Sequence, residues 1–145
     1  MPFDLLIRAR HLPAACELAA RFPGQRFVVD HIAKPLMKAG QLAPWDADIR
    51  RLASFPNVCC KISGMVTEAD WDSWKAADFR PYLDIVLEAF GSKRLMVGSD
   101  WPECTLAATY AEVMQLASEY LDQLSETEQA DIWGNNAART YGLRL

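Results

Sequence analysis

The sequence predicts an α/β fold of four parallel βα units followed by a terminal helix, on three observations. Four short apolar runs, at 3–8, 25–31, 58–64 and 95–100, alternate with stretches whose apolar residues recur at helical spacing. Each run ends on polar residues. The chain of 145 residues is 51% hydrophobic, enough for one core and so for one domain, 1–145. Strands separated by helices run parallel, and right-handed crossovers bring their C-terminal ends to one rim. Arg8, His31, Lys61 with Ser63, and Asp100 are thereby expected on that rim, where βα folds place their chemistry.

The first run, Phe3 to Arg8, reads as a strand with Asp4, Leu6 and Arg8 on one face. Pro13 suits the first turn of the helix after it, Leu18, Ala19 and Phe22 form its apolar stripe, and Pro23-Gly24 ends it. In the second run, Phe27, Val28 and Val29 lead to Asp30-His31 and then Lys34-Pro35. Trp45-Asp46 starts a short helix with Ile49, Leu52 and Ala53 facing the sheet.

The third run alternates, with Val58, Cys60 and Ile62 on one face and Cys59, Lys61 and Ser63 on the other. A lysine there is costly unless paired, so Lys61 marks either a barrel interior with an acidic neighbour or an exposed edge. Thr67 to Asp70 reads as a cap for a short insert bearing Trp71 and Trp74, which either wall a pocket or simply pack. Tyr82, Leu83, Val86, Leu87 and Phe90 give the next helix its stripe, with Gly91 as its stop.

The fourth run stops on Gly98-Ser99-Asp100. Asp100 is either the acid of a site or the cap of the next turn, which Pro102 helps to set. An amphipathic helix over 110–124 follows, and Ser125 with Glu128 forms a capping box for a last helix running to Tyr141.

Fifteen Lys and Arg are scattered among nineteen Asp and Glu, for a net charge of −4, which argues against a nucleic-acid or anionic-membrane surface. No run approaches the roughly 20 apolar residues of a membrane span. Met1-Pro-Phe-Asp carries no basic lead-in to a signal core, so a cytoplasmic location is expected. Cys16, Cys59, Cys60 and Cys104 form no C-x-x-C pair and read as reduced, packed thiols; only His11 and His31 could join them at a metal.

Four motifs, Phe27-Val-Val-Asp-His-Ile-Ala-Lys-Pro35, Cys60-Lys-Ile-Ser-Gly64, Leu95-Met-Val-Gly-Ser-Asp-Trp-Pro102 and Gly134-Asn-Asn-Ala-Ala-Arg-Thr-Tyr-Gly142, resemble the amidohydrolase-related (amidohydrolase 2) family, near the sugar lactonases and pyrone-dicarboxylate lactonases. The resemblance covers nearly the whole chain and implies a (β/α)8 TIM barrel, of which this chain is the C-terminal half, strands five to eight. The His-x-His of the family's first strand is absent. A TIM barrel takes about 250 residues, so the end strands are expected to be open edges. A fragment, a truncated product and a half-barrel that forms a homo-oligomer through those edges all stand as readings.

The same resemblance implies that Asp100 activates water and passes its proton to the leaving oxygen, and that His31 contacts the substrate carbonyl or a metal. Arg8 and Lys61 are candidates, on position, for the developing charge or a substrate carboxylate, and Ser63 and Trp101 complete the expected substrate contacts. No cofactor is required on this reading; in a complete barrel one divalent metal, zinc, is the alternative, with His31 and Asp100 as its ligands here. The expected partner is a small lactone or carboxylic acid, hydrolysed by water. A metal-dependent decarboxylase of the same superfamily and an inactive half-barrel are the competing readings.

Overall fold

In a computed structural model describing residues 1–143, four parallel strands form one sheet in the order β1 (Phe3–Leu5), β2 (Phe27–Val29), β3 (Val58–Ile62) and β4 (Leu95–Val97). Leu5, Val29, Cys60 and Leu95 lie in register across it. The strands are shorter than the apolar runs, because each polar tail leaves the ladder to form a turn. Arg8, expected on the first strand, lies three residues past its end and precedes the single turn Ala9–His11.

Helices α1 (Leu12–Arg21), α2 (Trp45–Ala53) and α4 (Ala76–Phe90) follow β1, β2 and β3, with the single-turn α3 (Met65–Glu68) between β3 and α4. Ile49, Leu52 and Ala53 are buried, as are Tyr82, Leu83, Val86 and Phe90. Two expectations change. Phe22, at the C-terminal end of α1 where the chain turns away, is 49% exposed, and Leu12, Ala15, Cys16 and Ala19 supply the buried stripe. Thr67 does not cap an insert; it lies inside α3 and bonds back to the Gly64 carbonyl at 2.9 Å. Trp74 packs on Phe79 and donates to the Ala107 carbonyl, while Trp71 remains about half exposed.

Helix α5 (Tyr110–Leu121) buries Val113, Leu116, Ala117, Tyr120 and Leu121, and is capped by Thr109 with Glu112. The last helix runs to Tyr141 as expected, with a π turn in its middle. α6 (Glu126–Ala130), capped by Ser125 and Glu128, passes through a π turn, Asp131–Asn135, into α7 (Asn136–Tyr141).

The two faces of the sheet are covered differently. Leu5, Phe27, Val29, Val58, Cys60, Ile62 and Leu95 join the main hydrophobic core with residues of α1, α2 and α4. Strand alternation puts Asp4, Val28, Cys59, Lys61 and Met96 on the other face. There the C-terminal segment reaches across the strands, from β4 to β1. Thr140 Oγ1 is 3.9 Å from Cys59 Sγ, and the Tyr141 hydroxyl donates to Asp4 at 2.7 Å. Val28 and Met96 are buried on this face. The four cysteines are free thiols, three of them buried.

Side chains that collect backbone carbonyls tie the segments together. Arg94 Nη1 donates to Ala53, Phe55 and Val58, and Asn57 Nδ2 to Ala19, Phe22 and Gln25. Asn136 Nδ2 donates to Ser92 and Leu95, both at 2.7 Å. Asp131, 3% exposed, pairs with Lys93 at 2.6 Å and Arg139 at 2.9 Å, fixing the π turn. These two cations, Lys93 first, hold its carboxyl at about 2. A depressed folded value contributes stability above the unfolded carboxylate value of roughly 3.9 and loses it as pH falls through the folded one. The Asp131→Asn chain is therefore expected to unfold at lower urea than the unaltered chain at pH 7. That gap should narrow between pH 4 and pH 2, as followed by circular dichroism.

Candidate functional site

The C-terminal ends of β2, β3 and β4 bring His31, Ser63 and Asp100 together. From His31 to Lys34 the backbone runs through four successive left-handed residues, with φ of 53°, 45°, 61° and 48°. Each costs an L-residue about 1–2 kcal/mol, so the turn forms only because its surroundings impose it. Ile32 and Ala33 are fully buried, and the Ile32 carbonyl accepts from buried Trp45 Nε1 at 2.8 Å. Lys34 Nζ lies 3.3 Å from Glu68 in α3. The turn sends the His31 ring back over β3.

There the Cys60-Lys-Ile-Ser-Gly64 motif receives it. Ser63, 3% exposed, places Oγ 2.8 Å from His31 Nδ1. Gly64 leaves the space for the ring, since a Cβ at that position would sit 2.7 Å from both His31 Cγ and Nδ1. On the ring's other side, His31 Nε2 is 3.3 Å from Asp100 Oδ1, both side chains being about 15% exposed. Asp100 is itself left-handed, with φ of 58°. Its carboxylate meets His31, and Ser99 Oγ accepts the Trp101 N–H of the following turn instead. Burial pushes the His31 imidazole below its ordinary value, against the pull of Asp100 and Asp30. Burial likewise raises the Asp100 carboxyl, against His31 and Lys34.

Lys61 stands on the same sheet face, but its charge is taken up. Nζ is 2.9 Å from Asp4, 2.8 Å from Asp30 Oδ1 and 5.4 Å from the Tyr141 ring centre. The contact to Asp30 is an ion pair, and Oδ1 has no other partner among the described residues. Burial opposes the Lys61 charge, but Asp30 and Asp4 outweigh it and hold the ammonium above the usual lysine range. Of the two openings the sequence left, Lys61 is the paired one.

Arg8 is exposed and stands apart from the pair, lining a cavity of about 290 Å³ with Leu6, Ile7, Arg10, His11 and Lys34. The charge of Lys34 reaches both His31 and Asp100. Trp101, beside Asp100, is 65% exposed. A larger cavity of about 350 Å³, bordered by Met1, Gln25, Arg26 and Arg139, lies at the opposite ends of the strands and is lined by no carboxylate or imidazole of the described residues. Sequence reasoning missed Gly64 and Asp30 as parts of the site; the strand-end glycine and the acid next to His31 were the signals. Gly64→Ala is expected to cost about 1–3 kcal/mol, from overpacking at a left-handed position. It should also displace the His31 ring; an unchanged urea midpoint would count against this packing.

The sequence matches the amidohydrolase family over residues 1–143. It is 44% identical to an L-fucono-1,5-lactonase of Burkholderia multivorans and 37% identical to one of Burkholderia ambifaria, with 97% of this chain aligned in each case. The chain spans about half the length of these curated relatives, 51% and 50%. It also superposes with TM-score 0.92 and 44% identity on a crystal structure of an amidohydrolase from Burkholderia multivorans with bound zinc, over 97% of this chain and 52% of that one. A zinc site takes about three protein ligands. No three His, Cys, Asp or Glu side chains among the described residues are placed to hold a metal, and the ring nitrogens of His31 face Ser63 and Asp100. The residues of this half do not by themselves fit the ion. The four parallel βα units, the rim they build and the match over residues 1–143 together make this chain a member of the amidohydrolase family, corresponding to half of its TIM barrel.

Proposed function

We propose that this chain carries the proton-transfer half of a lactone-hydrolysing site, with Asp100 as general base. The observation that carries the reading is the His31 Nε2 to Asp100 Oδ1 contact of 3.3 Å, half-buried on the rim. His31 engages one carboxylate oxygen, which leaves Oδ2 for a water. A base must be ionised and within hydrogen-bond reach of the proton it takes. Asp100 removes a proton from water as the oxygen attacks the lactone carbonyl. When the tetrahedral oxyanion collapses, the ring C–O bond breaks and the same proton goes to the leaving alkoxide. The product is a hydroxy acid, ionised at neutral pH.

The remaining rim residues suit that chemistry. Lys34 places positive charge beside the pair, where an oxyanion or the new carboxylate gains from it, and Arg8 shares a neighbouring cavity with Lys34. The exposed ring of Trp101 offers a flat apolar surface to the C–H face of a sugar lactone. Lys61 and Ser63 act from behind, Lys61 by holding Asp30 and Ser63 by holding His31. The relatives named as L-fucono-1,5-lactonases make that lactone the first substrate to assay.

Acid release from L-fucono-1,5-lactone, measured in a pH-stat, tests the reading on this chain alone and on this chain spliced in place of the matching half of the 44%-identical relative. Asp100→Asn is expected to lower the rate by about 10²–10⁴-fold, the usual worth of a positioned base. Because burial raises the Asp100 carboxyl, the acid limb of the rate profile should fall above the roughly 3.9 of a solvated aspartate. Equal rates for Asp100→Asn and the unaltered protein would overturn the assignment.

A further inference from the structure

Two polar groups flank the His31 ring: Ser63 Oγ at 2.8 Å from Nδ1, and Asp100 Oδ1 at 3.3 Å from Nε2. A neutral imidazole has one donor and one acceptor, so the two neighbours must play opposite parts. An ionised carboxylate only accepts, whereas a hydroxyl can donate. The proton therefore belongs on Nε2, facing Asp100, and the Nδ1 lone pair is met by the Ser63 O–H. The reverse arrangement would set the Nε2 lone pair against the lone pairs of Asp100. Ser63 has no other hydrogen-bond partner among the described residues and is 3% exposed, so no solvent competes for its hydroxyl.

The surrounding glycines fit this purpose. Gly64 leaves room for the His31 ring, and a Cβ at Gly98 would stand 3.2 Å from Ser63 Cβ, a tight contact that Ser63 could meet only by giving way slightly. We infer that Ser63 is a positioning residue: it fixes His31 in the Nε2–H tautomer, so that His31 donates to Asp100 and Asp100 remains the proton acceptor of the site. This rests on the proposed role of Asp100 for its catalytic meaning, but the tautomer itself is read without substrate. A further consequence is that His31 Nε2 carries a proton and offers no lone pair to a metal in this arrangement.

The chain has only two histidines, so ¹⁵N-histidine labelling gives a short spectrum, and His11→Asn assigns it. At pH 7.5, two-bond ¹H–¹⁵N correlation is expected to show His31 protonated at Nε2, with Nδ1 unprotonated and accepting a hydrogen bond. Ser63→Ala should move Nδ1 toward the position of a free lone pair, and Ser63→Thr, which keeps the hydroxyl, should restore the hydrogen-bonded position. Protonated Nδ1 in the unaltered chain would overturn the inference, even if every variant failed to fold. So would ring shifts that are the same in Ser63→Ala. A chain that turns over no lactone can still show the Nε2–H form, and an active lactonase can lack it, so this failure and that of the proposed function are distinguishable.

Discussion

The left-handed backbone from His31 to Lys34 is the constraint on which the site depends. Four such residues in succession, none of them glycine, would be abandoned by a free chain for a right-handed turn. Here the core holds them in place. Ile32 and Ala33 point inward and are fully buried, and Trp45, at the start of α2, satisfies the Ile32 carbonyl. The helix that covers the sheet thus also aims the histidine, so the stability of the fold and the geometry of the rim are one problem. Strain held in this way is found where a side chain must be placed against its local preference.

Beneath the rim, Lys61 does a related task with charge. An ammonium taken partly out of water is stabilised only by close carboxylates, and Asp4 in β1 and Asp30 in the turn after β2 provide them. Asp4 also accepts from Tyr141, which connects the first strand to the last helix. One lysine therefore couples β1, the turn after β2, β3 and the C-terminal segment on this face. Removing it would leave Asp30, next to the catalytic candidate His31, without its counter-charge.

The half-barrel character bears on what this rim can do. β1 and β4 end the sheet, and Phe3, in β1, is 58% exposed. An eight-stranded member of the family closes such edges with four further βα units, and those units would supply more rim. The chemistry assigned to this chain is correspondingly limited to what it holds: an acid, an imidazole that orients it, and nearby positive charge.

The sequence alone determined the order and direction of the elements, because alternation of period 2 and stripes of period 3.6 are local properties. It also marked the strand ends carrying His31, Ser63 and Asp100, since polar residues closing apolar runs are visible without coordinates. The helix caps at Ser125 and the buried faces of α2, α4 and α5 were legible for the same reason. The tertiary structure decided the rest. That Lys61 is paired, that Ser63 faces a ring nitrogen instead of solvent, that Arg8 stands apart, and that Gly64 exists to admit His31 each depend on distances between strands 30 or more residues apart in sequence. Spacing along a chain reports what a residue's neighbours in one element do; it carries no record of which side chain another element brings within 3 Å.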